Sequence, residues 1–128
     1  GAMVMKVLKG YEEGIATKME ADEREAGKWT RAYVQDTFEP TPPAKDMSAG
    51  LLAAIVTNPD LLKTIQDQYK VWQETAERDG IDPVQATIIR LAVDGLWLSE
   101  LFGLAPLDTD MRDRVKTALI GMSKGEEL

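Results

Sequence analysis

Neither cysteine nor histidine occurs in these 128 residues. The first absence excludes disulfides, thiolate nucleophiles and sulfur-ligated metals. The second removes imidazole acid–base catalysis and every histidine-containing zinc constellation. A metal would have to be held by carboxylates alone, and no acidic run has the alternating spacing of an oxygen cage. No uncharged apolar run approaches the length of about 18 residues that would span a bilayer, and nothing reads as a secretory leader. The chain is therefore expected to be soluble and cytoplasmic, with no membrane partner, no metal and no cofactor.

An excess of positive charge is lacking too. There are 22 acidic against 15 basic residues, a formal net charge of -7, and the basic residues are scattered along the chain. Binding to phosphates gains from counterion release where cations cluster, so this chain alone is not expected to hold DNA. An apolar fraction of 44% and a charged fraction of 29% belong to an ordinary globular protein, and the length suits one domain with a real core.

What is present is helical periodicity. Gly1-Ala2-Met3 reads as a remnant of tag cleavage and is set outside the fold. From Val4 to about Glu25, Val7, Leu8, Tyr11, Ile15 and Met19 form an apolar stripe, weakened by Gly10 and Gly14. A second helix, Ala26 to Phe38, carries Trp29, Ala32, Tyr33 and Val34, and the proline-rich stretch from Glu39 to Asp46 ends it as a surface loop. A short third helix, Met47 to Thr57, holds Leu51, Leu52, Ile55 and Val56. Asn58 caps a fourth with Pro59 at its first position; Leu61, Leu62, Ile65, Tyr69, Trp72 and Ala76 face inward, while Lys63, Gln66, Asp67, Lys70, Gln73, Glu74 and Glu77 face water.

The fifth helix has the clearest start, Asp82-Pro83-Val84-Gln85, a capping-box variant. Its body from Ala86 to Phe102 is apolar nearly all round. A surface helix of a small monomer carries a charged face, so this one is either the central helix of the core or meets another subunit on its outer side. Gly103 closes it, and Asp108 caps a last helix whose inner stripe is Met111, Val115, Leu119 and Met122; residues 125–128 are expected to fray. The expectation is an all-α helical bundle of about six helices in one domain, residues 4–124.

Chemistry-bearing residues are sparse. Arg90 and Asp94 lie one turn apart on the most apolar helix and must be satisfied there, either as an ion pair or against a ligand head group. Tyr11, Trp29, Tyr33, Phe38, Tyr69 and Trp72 are candidates to line a pocket for a flat or amphiphilic molecule, and the same pattern arises from plain core packing. Trp97, Leu98, Leu101, Met111 and Val115 are candidates for an interface or the core. Ser99 has no base to activate it, and the acids Glu20, Asp22, Glu23 and Glu25 read as a solvated face. No enzyme is expected.

The stretch DPVQATIIRLAVDGLWLSELFGLAPL, residues 82–107, resembles the C-terminal region of TetR-family transcriptional repressors. The resemblance is carried by Arg90, the Asp94-Gly95 pair, Trp97 and Gly103, followed by Asp108 and Arg112. The preceding stretch from Leu51 to Gly80 also fits, and residues before Lys45 fit by position and helicity alone. The resemblance implies a TetR C-terminal-domain-like fold and a regulatory domain that pairs as a homodimer through its last long helices. It also implies an unidentified small, partly apolar effector bound between the earlier helices. Operator DNA would be met only through an N-terminal helix-turn-helix domain, which this sequence does not contain. Effector binding would alter the separation of two DNA-reading heads that must sit roughly 34 Å apart. A stand-alone helical interaction domain without small-molecule sensing is the alternative.

Overall fold

A computed structural model describes residues 2–39, 50 and 53–126. Five helices are bounded as α1 (Ala2–Glu20), α2 (Lys28–Phe38), α3 (Pro59–Glu77), α4 (Pro83–Phe102) and α5 (Thr109–Ser123). A sixth helical stretch, 53–57, precedes α3. The domain is an all-α bundle of six helices, without a strand among the described residues. The proline-rich stretch 40–46, and residues 47–49, 51 and 52 of the expected third helix, lie outside the described residues.

The centre of the bundle is α2. Trp29, Ala32, Tyr33, Val34 and Phe38 are all buried there, against Val7, Leu8 and Ile15 of α1, Trp72 and Ala76 of α3, and Ala86, Ile89, Val93 and Leu96 of α4. Of the two readings open for the apolar helix α4, the central one is thereby excluded. Only its stripe at 86, 89, 93 and 96 is buried, and apolar side chains on its other side are exposed.

Local turns and side chains from distant parts of the chain both set the ends of these helices, and here expectation and structure part. Helix α1 stops at Glu20, not Glu25, and Ala2 and Met3 fall within it. Asp22 draws the chain out of the helix because its Oδ1 accepts the Arg24 amide at 2.9 Å, a local turn that competes with the helical ladder. Its Oδ2 accepts from Arg31 Nε at 2.6 Å. Helix α2 starts at Lys28, after Gly27 at φ 77°. A β-carbon at Gly27 would lie 2.4 Å from the Ser123 carbonyl oxygen, so only glycine fits that turn.

Gly27 offers no side chain to cap α2, and the cap arrives from the end of α3. Asp79 accepts from the Trp29 amide at 3.1 Å and the Thr30 amide at 2.7 Å, while its carbonyl accepts from the Gly27 amide at 2.7 Å. One carboxylate thus satisfies two of the orphan donors of a helix N-terminus and lies against its positive end. Asp79→Ala is expected to cost about 1–2 kcal/mol; chemical denaturation measures it, and an unchanged midpoint would contradict the capping role.

Asn58 and Asp108 cap α3 and α5 as expected, accepting from the amides of Asp60 at 3.1 Å and Met111 at 2.8 Å. Asp82 occupies the N-cap position of α4, but the expected capping box does not form. Gln85 spends its amide on the Met122 carbonyl at 3.2 Å, tying the start of α4 to the end of α5. Gln73, expected on the wet face of α3, is half-buried and bonded to Thr87 and Arg90. Gly14, expected only to weaken α1, leaves room for the buried Asp36 carboxylate, whose Oδ1 would lie 2.1 Å from a β-carbon there.

Candidate functional site

A cavity of about 380 Å³ opens between α1, 53–57, α3 and α4. Its wall is made by Leu8 and Tyr11, by Ile55, by Ile65, Gln66, Tyr69 and Trp72, and by Asp94, Trp97 and Leu98. Helical spacing explains the grouping: 65, 69 and 72 on α3 and 94, 97 and 98 on α4 each share one face. The result is an apolar chamber with four aromatic rings and a single carboxylate, within the size range of small-molecule sites.

The polar groups on this wall are mutually braced. Trp97 Nε1 donates to the Tyr11 hydroxyl at 3.0 Å, and Trp72 Nε1 donates to Glu12. Tyr69 and Trp72 meet edge to face at 5.0 Å, and Tyr33 meets Trp72 similarly at 5.6 Å. Asp94 accepts from the Tyr33 hydroxyl and from Arg90 Nη1, the latter at 2.6 Å. Arg90 Nε donates in turn to Gln73 Oε1 at 2.6 Å, so both members of the pair are held from neighbouring helices.

The ionisation states follow from burial. Desolvation pushes the Asp94 carboxyl above the ordinary aspartate range, against the opposing pull of its bonds to Tyr33 and Arg90. Desolvation foremost, with the nearby Asp94 charge adding to it, raises Tyr33 and Tyr69 well above ordinary tyrosine. Both phenols remain neutral hydrogen-bonding groups at physiological pH.

The six aromatic candidates separate into two groups. Tyr11, Tyr69 and Trp72 stand on the cavity wall. Trp29, Tyr33 and Phe38 lie in the core behind it, Trp29 stacked on Tyr33 at 5.0 Å. Tyr33 touches the wall from behind, through its bond to Asp94 and its ring contact with Trp72, and Phe38 lies under the Arg112 guanidinium, 4.8 Å from its ring centre. Among the interface or core candidates, Trp97 turns into the cavity and Leu98 borders it while remaining 40% exposed. Leu101 and Val115 are half-buried, and Met111 is exposed.

Sequence reasoning missed Leu8, Ile55, Ile65 and Gln66 as wall residues: the first three read only as apolar stripe positions and Gln66 as part of the wet face of α3, and periodicity does not say which gap a side chain borders. The outer side of α4, expected in one of two readings to meet another subunit, carries a seam that helical spacing contains. Val84, Ile88, Leu91, Leu98 and Phe102 of α4 are all exposed. With Gly95 they fall at alternating steps of four and three, the spacing of a helix that packs lengthwise against another. Nothing lies within 4 Å of where a Gly95 β-carbon would be.

No group of three or more acidic side chains among the described residues is arranged to hold a metal, and no described helix is long and apolar enough to cross a membrane. The described residues thus form an all-helical domain with a partly open apolar chamber and a row of exposed apolar side chains along α4. A protein-family model described as "Tetracyclin repressor-like, C-terminal domain" matches residues 27–124. The chain belongs to that family, and is a TetR-like regulatory domain, of a non-catalytic fold. No curated protein and no solved structure matches it.

Proposed function

We propose that this domain binds a small, partly apolar effector in the chamber and pairs with a second copy through α4 and α5, for a transcriptional repressor whose DNA-reading heads lie in another part of the parent protein. The observation that carries the reading is the chamber itself, lined by Tyr11, Tyr69, Trp72 and Trp97 and bordered by Leu98. Leu98 also belongs to the exposed seam of α4. A ligand that displaces Leu98 therefore acts on the helix at which two copies would meet, a direct route for coupling occupancy to the pair's geometry.

The seam supports a symmetric pair. From Val84 to Phe102 it runs about 27 Å along the helix, and a two-fold axis would set each seam against its twin. Gly95, near the middle, would let the helices approach closely.

Filling the chamber tests the effector reading. Ile65→Trp is expected to leave the helical signal intact and to abolish ligand-dependent stabilisation. A small apolar compound present at 100 times its Kd stabilises a one-site protein by about 2.7 kcal/mol, readily seen as a melting shift. A compound that shifted the melting of the natural protein and of Ile65→Trp equally would place the binding site elsewhere.

A further inference from the structure

The charge distribution around the chamber goes beyond its apolar character and bears on what enters it; the inference rests on the effector-binding reading above. Asp94 is the one acidic or basic residue on the wall among the described residues. Its oxygens each accept one hydrogen bond, from Tyr33 and from Arg90. A carboxylate oxygen has capacity for a second. Arg90 is not on the wall; Gln73 and Asp94 hold it between α3 and α4. The two indole N–H groups of the wall are already engaged, with Tyr11 and with Glu12. A negatively charged guest would thus meet an acceptor and no lysine or arginine on the wall itself, whereas a positively charged one would share with Arg90 a carboxylate amid four aromatic rings, whose faces attract cations.

We infer that the chamber takes an amine-bearing aromatic molecule, cationic at neutral pH, with its ammonium group at Asp94 and its ring among Tyr69, Trp72 and Trp97, and that it rejects carboxylates of the same size. Burial disfavours the Asp94 charge, and an ammonium beside it would favour the ionised form as Arg90 already does.

Three probes of one shape test this by calorimetry on the whole chain: 4-phenylbenzylammonium, 4-phenylbenzyl alcohol and biphenyl-4-carboxylate. The amine is expected to bind at least about tenfold more tightly than the alcohol, and the carboxylate at least about tenfold more weakly. Because Asp94→Asn alone would strand the Arg90 charge, the comparison uses Arg90→Gln with Asp94→Asn. In that double variant the amine's advantage is expected to shrink to within about threefold while the alcohol keeps its affinity. Equal binding of all three probes, preference for the carboxylate, or an amine advantage that survives the double substitution would overturn the inference and leave effector binding standing. Failure of all three to bind a cooperatively melting protein would remove both.

Discussion

Leu91→Glu is expected to convert a sedimenting pair of chains into single chains. Leu91 is 56% exposed in the isolated chain, so a glutamate there meets water and leaves the fold of one copy intact. In a two-fold pair the same position occurs in both copies, and each would bring an unpaired carboxylate into an apolar seam. Burying an uncompensated charge costs several kcal/mol. A penalty of about 4 kcal/mol weakens the dissociation constant by roughly three orders of magnitude. Sedimentation equilibrium at micromolar concentration reads the result directly. Leu91→Ala, which removes area without adding charge, should weaken the pair by a smaller factor. A pair that persists unchanged in Leu91→Glu, or a natural protein that sediments as single chains, would refute assembly through α4.

Arg31→Met is expected to be the most damaging single change within one copy. The guanidinium is 2% exposed and donates to Asp22, to the carbonyls of Ala26 and Arg24 at 2.8 and 2.7 Å, and to the Ser123 carbonyl at 3.3 Å. It thereby holds the 21–27 turn and ties it to the end of α5. Removing one partner of a buried pair costs about 3–5 kcal/mol, because the remaining acceptors lose their donor without regaining water. For a chain of this length that corresponds to a drop in Tm on the order of 10–20 °C.

The pair also carries a pH signature. The hydrogen bond from Arg31 holds the Asp22 carboxyl below its ordinary value of 3.8. A carboxyl depressed in the folded state stabilises fully above its unfolded value, and that contribution is lost as pH falls through the folded one. The gap in stability between the natural protein and Arg31→Met should therefore hold at neutral pH and narrow only below about pH 4. A gap independent of pH down to acid unfolding would mean that Asp22 contributes nothing through its charge.

Helix positions were legible because apolar periodicity and capping chemistry are local. The stripe at Val7, Leu8 and Ile15, the Asn58-Pro59 start and the Asp108 cap depend on residues within a turn or two of each other, and all appear in the structure. The early end of α1 has a local cause, the Asp22–Arg24 turn, but other departures had non-local ones. Asp79 caps a helix about 50 positions earlier in the chain, and Gln85 abandons its own helix for the Met122 carbonyl. The site was legible as a set of residue types and not as an arrangement. Trp29 and Trp72 both read as inward-facing aromatics and both are buried, yet only Trp72 also borders the cavity.

By itself the sequence determined the class of the domain: helical, without thiol or imidazole chemistry, negative overall, and with one helix too apolar to be wetted on every side. These follow from composition and from periodicities of three and four residues, which need no knowledge of neighbours. Only the tertiary structure decided that α2, not α4, occupies the centre, and that Trp97 faces a chamber while Leu91 faces outward. It alone decided that Asp94 stands on the wall of that chamber while its partner Arg90 does not. The reason is that burial, and the direction in which a charge acts, belong to the packing of several helices together, and no single helix encodes where the others will stop.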